Sequence, residues 1–155
     1  MPAMKETLVI GYGNTLRGDD AAGIRAAEAL ADKLPGVACV CTHELGIELS
    51  ETIAGCDDVF FLDASTTTGR LICRPLRPAA APDAPGSHTL TPDTLLFYCK
   101  QLYQRLPWRS TLIEIPAFQF EVCEKMSAVT TRMVHECVDA VATLIQAGAA
   151  GADPR

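Results

Sequence analysis

The chain has 155 residues, with 13 Lys and Arg against 19 Asp and Glu, for a formal charge of −6. At 48% hydrophobic and 21% charged residues, it has apolar surface enough for one packed core, which excludes a disordered chain, and too little length for two ordinary domains. Its acidity argues against a nucleic-acid binder, which needs a concentrated basic surface, and no apolar run approaches the length that crosses a bilayer.

The N-terminal residues run directly into a short apolar segment, with neither the length nor the cleavage site of a signal peptide. Seven cysteines, an odd number, without an export signal point to reduced thiols and a cytoplasmic location. No Cys-x-x-Cys pair occurs, so the cysteines read as small buried hydrophobes.

Thr7-Leu8-Val9-Ile10, closed by Gly11, predicts a strand buried on both faces. Asp19 and Asp20 open a helix through Leu34, with Ile24, Ala27, Leu30 and Ala31 on one face and Pro35-Gly36 as its stop. Val37 to Cys41 is a second strand, and Gly46 to Ala54 a short helix. Val59-Phe60-Phe61-Leu62 is a third buried strand that delivers Asp63 at its carboxyl end.

Only Ala64 to Thr68 precede the next strand, Gly69 to Arg74. A parallel crossover needs a dozen or more residues, so a strand neighbouring the third must run antiparallel. Arg70, Arg74 and Arg77 read as its solvated face. Pro78 to Ser87 is a loop, and Thr91-Pro92 caps and starts a helix through Arg105. Leu112 to Ile115 is a fifth strand and Met126 to Ile145 a final helix. Tyr98, Tyr103 and Trp108 read as packing residues, and His135 with Asp139 as a solvated pair. The expectation is an α/β fold: one three-layer domain over residues 1–147, with a flexible tail at 148–155. Its five-stranded sheet is mostly parallel with one antiparallel strand, and helices cover both faces.

Ligands in such sheets sit beyond the carboxyl ends of the parallel strands. Gly11-Tyr12-Gly13-Asn14-Thr15-Leu16-Arg17-Gly18-Asp19-Asp20 follows the first strand, Asp63 the third, and His88 lies in a later loop. A Rossmann fingerprint needs glycine where Leu16 stands, and a phosphate loop needs Lys-Ser/Thr where Gly18 is followed by two aspartates. A flavodoxin-like nucleotide or flavin binder is therefore a weak alternative. Gly11 and Gly13 also suit a plain tight turn. Asp20, Asp63 and His88 together offer two oxygens and a nitrogen, a set suited to nickel or zinc. Each also has an ordinary structural role available, as helix start, turn former and exposed loop residue.

The run from Leu8 to Gly23 resembles the N-terminal signature of the hydrogenase maturation endopeptidases: Gly-x-Gly-Asn, a short apolar stretch, a pair of acids and a later glycine. His43-Glu44-Leu45-Gly46, Phe61-Leu62-Asp63-Ala64 and Ser87-His88-Thr89-Leu90 are similar to later segments of that family. The resemblance implies an endopeptidase that removes the C-terminal extension of a [NiFe] hydrogenase large-subunit precursor after nickel insertion. It implies Asp20, Asp63 and His88 as metal ligands and catalytic residues, with Gly11, Gly13, Asn14 and Asp19 shaping the supporting turn. The nickel would come from the precursor, with no organic cofactor, no nucleic-acid partner and no membrane insertion; a monomer is favoured. A Gly-Leu-Ser/Thr sequence common before the last helix is here Lys125-Met126-Ser127. The competing class is a non-enzymatic nickel-binding or hydrogenase-docking accessory protein.

Overall fold

The computed structural model describes residues 6–82 and 90–150. In chain order the elements are β1 (Thr7–Tyr12), a 3-10 turn (Gly18–Ala21), α1 (Ala22–Lys33), β2 (Ala38–Thr42), α2 (Leu49–Ala54) and β3 (Asp58–Ser65). They continue with β4 (Ile72–Pro75), α3 (Pro92–Tyr103), β5 (Arg109–Pro116) and α4 (Ala128–Ala150). The sheet order is β2-β1-β3-β5-β4, parallel throughout except for β4 against β5. The expected three-layer α/β fold is the observed one.

Alternation along the strands divides the core. Val9, Phe60, Leu62, Ile113 and Ile115 face α1 and α4, while Leu8, Ile10, Phe61 and Leu112 face α2 and α3. Because both faces are covered, β1 and β3 read as unbroken apolar runs. Phe60 and Phe61 are fully buried on opposite faces; truncating either to alanine costs about 3–5 kcal/mol. No helix of the described residues is long and apolar enough to cross a membrane.

Four features of the secondary structure differ from expectation. β4 is antiparallel, but β5 lies between it and β3. After α3 crosses over, the longer and more apolar β5 pairs along the whole of β3, from Asp58↔Arg109 to Ser65↔Pro116, and leaves the short β4 at the edge. Regular helix begins at Ala22, because Gly18–Ala21 forms the 3-10 turn in which both aspartates sit. The last helix runs to Ala150, past the expected start of the tail; residues 151–155 lie outside the described residues. Thr91 does precede α3, but its hydroxyl pairs with the Thr94 hydroxyl at 2.9 Å and makes no capping bond to the helix backbone.

The cysteines divide. Cys56, Cys99 and Cys137 are buried and fit the hydrophobe reading, whereas Cys41, Cys73 and Cys123 are exposed. The latter two lie on the β4 edge and in an irregular segment, where no layer covers them. Tyr103 is likewise exposed rather than packed, lying at the end of α3. Asp139 pairs with Lys33 of α1 at 3.0 Å, so its carboxylate is engaged away from His135.

Candidate functional site

The glycines of the first turn bring α1 against the sheet. A side chain at Gly11 would strike the Gly23 carbonyl, and one at Gly23 the Leu62 carbonyl, so helix and strands approach as only glycine permits. Gly13 has φ +144°, and a Cβ there would meet the Asp20 carbonyl. This approach sets Asp20 over the carboxyl ends of β1 and β3. The Asn14 backbone N–H donates to Asp20 Oδ2 at 2.8 Å, and the Leu16 N–H donates to Asn14 Oδ1 at 2.9 Å. Asn14 thus shapes the turn that presents Asp20.

Asp19 faces the other way and is fully buried. Its Oδ2 accepts from the backbone N–H groups of Phe118 (2.9 Å) and Gln119 (3.0 Å) and from the Ser127 hydroxyl (2.9 Å). Its Oδ1 accepts from the Ser127 N–H at 2.7 Å. Burial acts to raise its pKa, but these donors outweigh it and hold the carboxyl below the ordinary aspartate value. Rather than greeting a helix dipole, Asp19 ties the segment between β5 and α4 to the first turn. Backbone bonds reinforce the tie: Gly18 N–H to Cys123 O at 2.8 Å, Cys123 N–H to Leu16 O at 2.9 Å and Asp19 N–H to Gln119 O at 2.7 Å. Ser127 also receives the Thr130 N–H at 3.2 Å, which makes it the cap of α4.

Asp63 stands where β3 leaves the core. Tyr12, Asp63 and Glu114 occupy neighbouring register positions on β1, β3 and β5, on the face toward α2 and α3. Burial pushes the Asp63 carboxyl up to about 6. The Tyr12 hydroxyl and the Ala64 backbone N–H hydrogen-bond to it and pull downward, while the charges of Asp20 and Glu114 add to the rise. Tyr12 is itself raised, by burial first and by Asp63 second. Arg74 Nε lies 3.5 Å from Glu114 Oε2. A cavity of about 460 Å³ opens here, with Tyr12, Asp63, Glu114, Arg74, Arg77 and Asp93 on its wall.

The structure therefore brings Asp20 and Asp63 within electrostatic reach of each other. His88 lies outside the described residues. No group of three His, Cys, Asp or Glu that can hold a metal ion closes among the described residues. The two carboxylates still fit a divalent ion in chemistry, since the charge of Asp20 adds to the cost of ionising Asp63 and a cation relieves it.

Sequence reasoning missed Tyr12, Glu114 and Arg74. Glu114 had a signal, because it interrupts the apolar run Leu112-Ile113-Glu114-Ile115 much as Asp63 closes its own. Tyr12 sits at the alternating position after Leu8 and Ile10, and Arg74 faces the cavity from the presumed solvated set.

No protein-family model and no curated protein sequence matches the chain. Solved structures do. The hydrogenase maturating endopeptidase HybD from E. coli superposes with a TM-score of 0.72 at 19% identity, covering 92% of this chain and 93% of that one. The [NiFe] hydrogenase maturation protease HycI from Thermococcus kodakarensis gives 0.70 at 24%, covering 93% and 94%. A hydrogenase 2 maturation peptidase from a Thaumarchaeota archaeon gives 0.68 at 24%, covering 92% and 99%. Over nearly its whole length, the chain shares its fold with these maturation peptidases.

Proposed function

We propose that this chain is an endopeptidase of hydrogenase maturation. It removes the C-terminal extension of a [NiFe] hydrogenase large-subunit precursor after nickel insertion, and it recognises the nickel through Asp20, Asp63 and His88. The observation that carries the reading is Asp63. It is a desolvated carboxylate at the carboxyl end of a central strand, beside Asp20, in the fold of structures named as maturation peptidases.

Each part of the chain has a task in this reading. Asn14 holds the Asp20 carboxylate from its backbone, and Tyr12 holds Asp63 from its hydroxyl, so two oxygen donors are oriented before the partner arrives. Nickel belongs to the substrate; once docked it supplies Lewis-acid polarisation or an activated water. Asp19 fixes the segment carrying Phe118 and Val122, which with Leu16 are exposed apolar side chains next to the turn. That surface suits a protein partner better than a small molecule. The same reading places the chain in the cytoplasm as a monomer that acts on a single protein partner.

The test is mass spectrometry of the precursor incubated with the chain, with and without nickel loading. Loss of a defined C-terminal peptide only from loaded precursor is expected. Unchanged mass together with a stable complex would replace the peptidase with a docking module.

A further inference from the structure

Charge is unevenly placed along this acidic chain. Residues 64–113 hold six Lys and Arg against Asp83 and Asp93, while the remainder holds seven cations against seventeen acids. The cationic stretch includes β4, α3 and the start of β5. Three of its cations are engaged: Arg74 with Glu114 at 3.5 Å, Arg105 with Asp57 at 3.7 Å and Arg109 with Asp58 at 3.1 Å. Arg77 and Lys100 are exposed, and neither forms an ion pair among the described residues.

These two cations flank a groove of about 370 Å³ between the segment after β4 and α3. Phe97, Gln101, Pro78 and Ala79 contribute to its walls, and among the described residues no carboxylate does. Arg77 also lines the larger cavity that contains Asp63, so the groove adjoins the candidate site at that residue. Two exposed cations with no ion pair among the described residues, in a protein of net charge −6, form a local positive field that attracts an acidic segment and orients it.

Resting on the peptidase reading of the neighbouring site, we infer that this groove binds an extended, carboxylate-bearing segment of the polypeptide substrate, with Arg77 and Lys100 as its counter-charges. The ring of Phe97 and the small apolar residues opposite suit a peptide backbone and the aliphatic stems of Asp and Glu. Two cations are too few to follow a nucleic-acid backbone, and the overall acidity repels such a polyanion.

The experiment is fluorescence anisotropy of a labelled oligoglutamate peptide titrated with the full chain at low salt. Oligolysine and Gly-Ser peptides of equal length serve as controls. The expected result is binding of oligoglutamate alone, weakened about tenfold by Arg77→Glu combined with Lys100→Glu and about threefold by the double alanine variant. Raising salt toward about 150 mM loosens it. Both side chains are exposed, so neither variant touches the core; circular dichroism verifies this. Absence of oligoglutamate binding, or equal binding by the charge-reversed variant, overturns the inference. So does tighter binding of an oligothymidylate, which assigns the groove to nucleic acid. No cleavage is read here. A chain that processes precursor but ignores oligoglutamate loses only the groove; one that binds the peptide but leaves precursor intact loses the peptidase reading.

Discussion

Strand β3 carries an aspartate near each end, and the two have opposite surroundings. Asp58, at the amino end, is buried and receives both Nε and a terminal nitrogen of Arg109, at 3.1 and 3.2 Å. The same guanidinium lies over the Phe60 ring, 5.3 Å from its centre. Asp63, at the carboxyl end, has Tyr12 as a donor, and its charged neighbours are Asp20 and Glu114. A buried acid matched by a guanidinium fork locks one strand to the next. An acid packed among other acids destabilises the fold when ionised, and that arrangement marks functional sites. Asp19 and Asp20 repeat the contrast on adjacent residues: Asp19 is saturated by donors, and Asp20 faces Asp63.

The largest effects should separate the two classes by their readouts. Asp20→Ala and Asp63→Ala are each expected to lower precursor processing by about 100-fold or more, the scale of losing a charge-stabilising group at a reacting centre. Thermal melts should show both variants folded. Asp58→Ala should cost about 3 kcal/mol in urea unfolding, because it strands Arg109 in a partly buried place. Near-neutral unfolding of Asp58→Ala would erase the distinction.

Asp19→Ala removes the acceptor of four hydrogen bonds and should cost about 3 kcal/mol. The folded-state pKa of Asp19 lies below its unfolded value. Its stabilisation is therefore present above the ordinary aspartate range and is lost as pH falls through the folded value. Melts of wild type and variant should converge in acid.

Asp63 has the reverse sign. With a folded pKa of about 6 against an ordinary 3.8, its contribution is full below the unfolded value and is lost as pH rises past about 6. Asp63→Asn should therefore stabilise the chain by about 1–2 kcal/mol at pH 8 and by nothing at pH 4, the partial exposure of the carboxyl moderating the effect. Equal melts at both pH values would remove the claim of a strained site. Tyr12→Phe, which deletes one hydrogen bond to Asp63, should give the smallest change, slowing processing about 3–10-fold with little loss of stability.

What the sequence made legible followed from locality. The apolar runs of β1 and β3 announced strands buried on both faces, and Asp63 stood out because a lone acid ended such a run. Asp20 was visible through its motif. The role of Asp19 was not, because its partners lie 99 to 108 positions along the chain, and nothing near it signals them. The neighbour of β4 was hidden for a related reason. A short connection fixes strand direction, but the place in the sheet is decided by which strand buries most beside β3, and that strand comes later. Glu114 was readable by the rule that found Asp63. The part assigned to His88 rests on the resemblance of Ser87-His88-Thr89-Leu90, since it lies outside the described residues.

The most direct test of the account sets the two ends of β3 against each other in one assay. Nickel-loaded large-subunit precursor is incubated with wild type, Asp58→Ala and Asp63→Ala at a temperature where all three are folded, and the precursor mass is followed over time. Loss of a defined C-terminal peptide is expected with wild type and with Asp58→Ala, and intact precursor with Asp63→Ala. Cleavage by Asp63→Ala at a rate near wild type would contradict it.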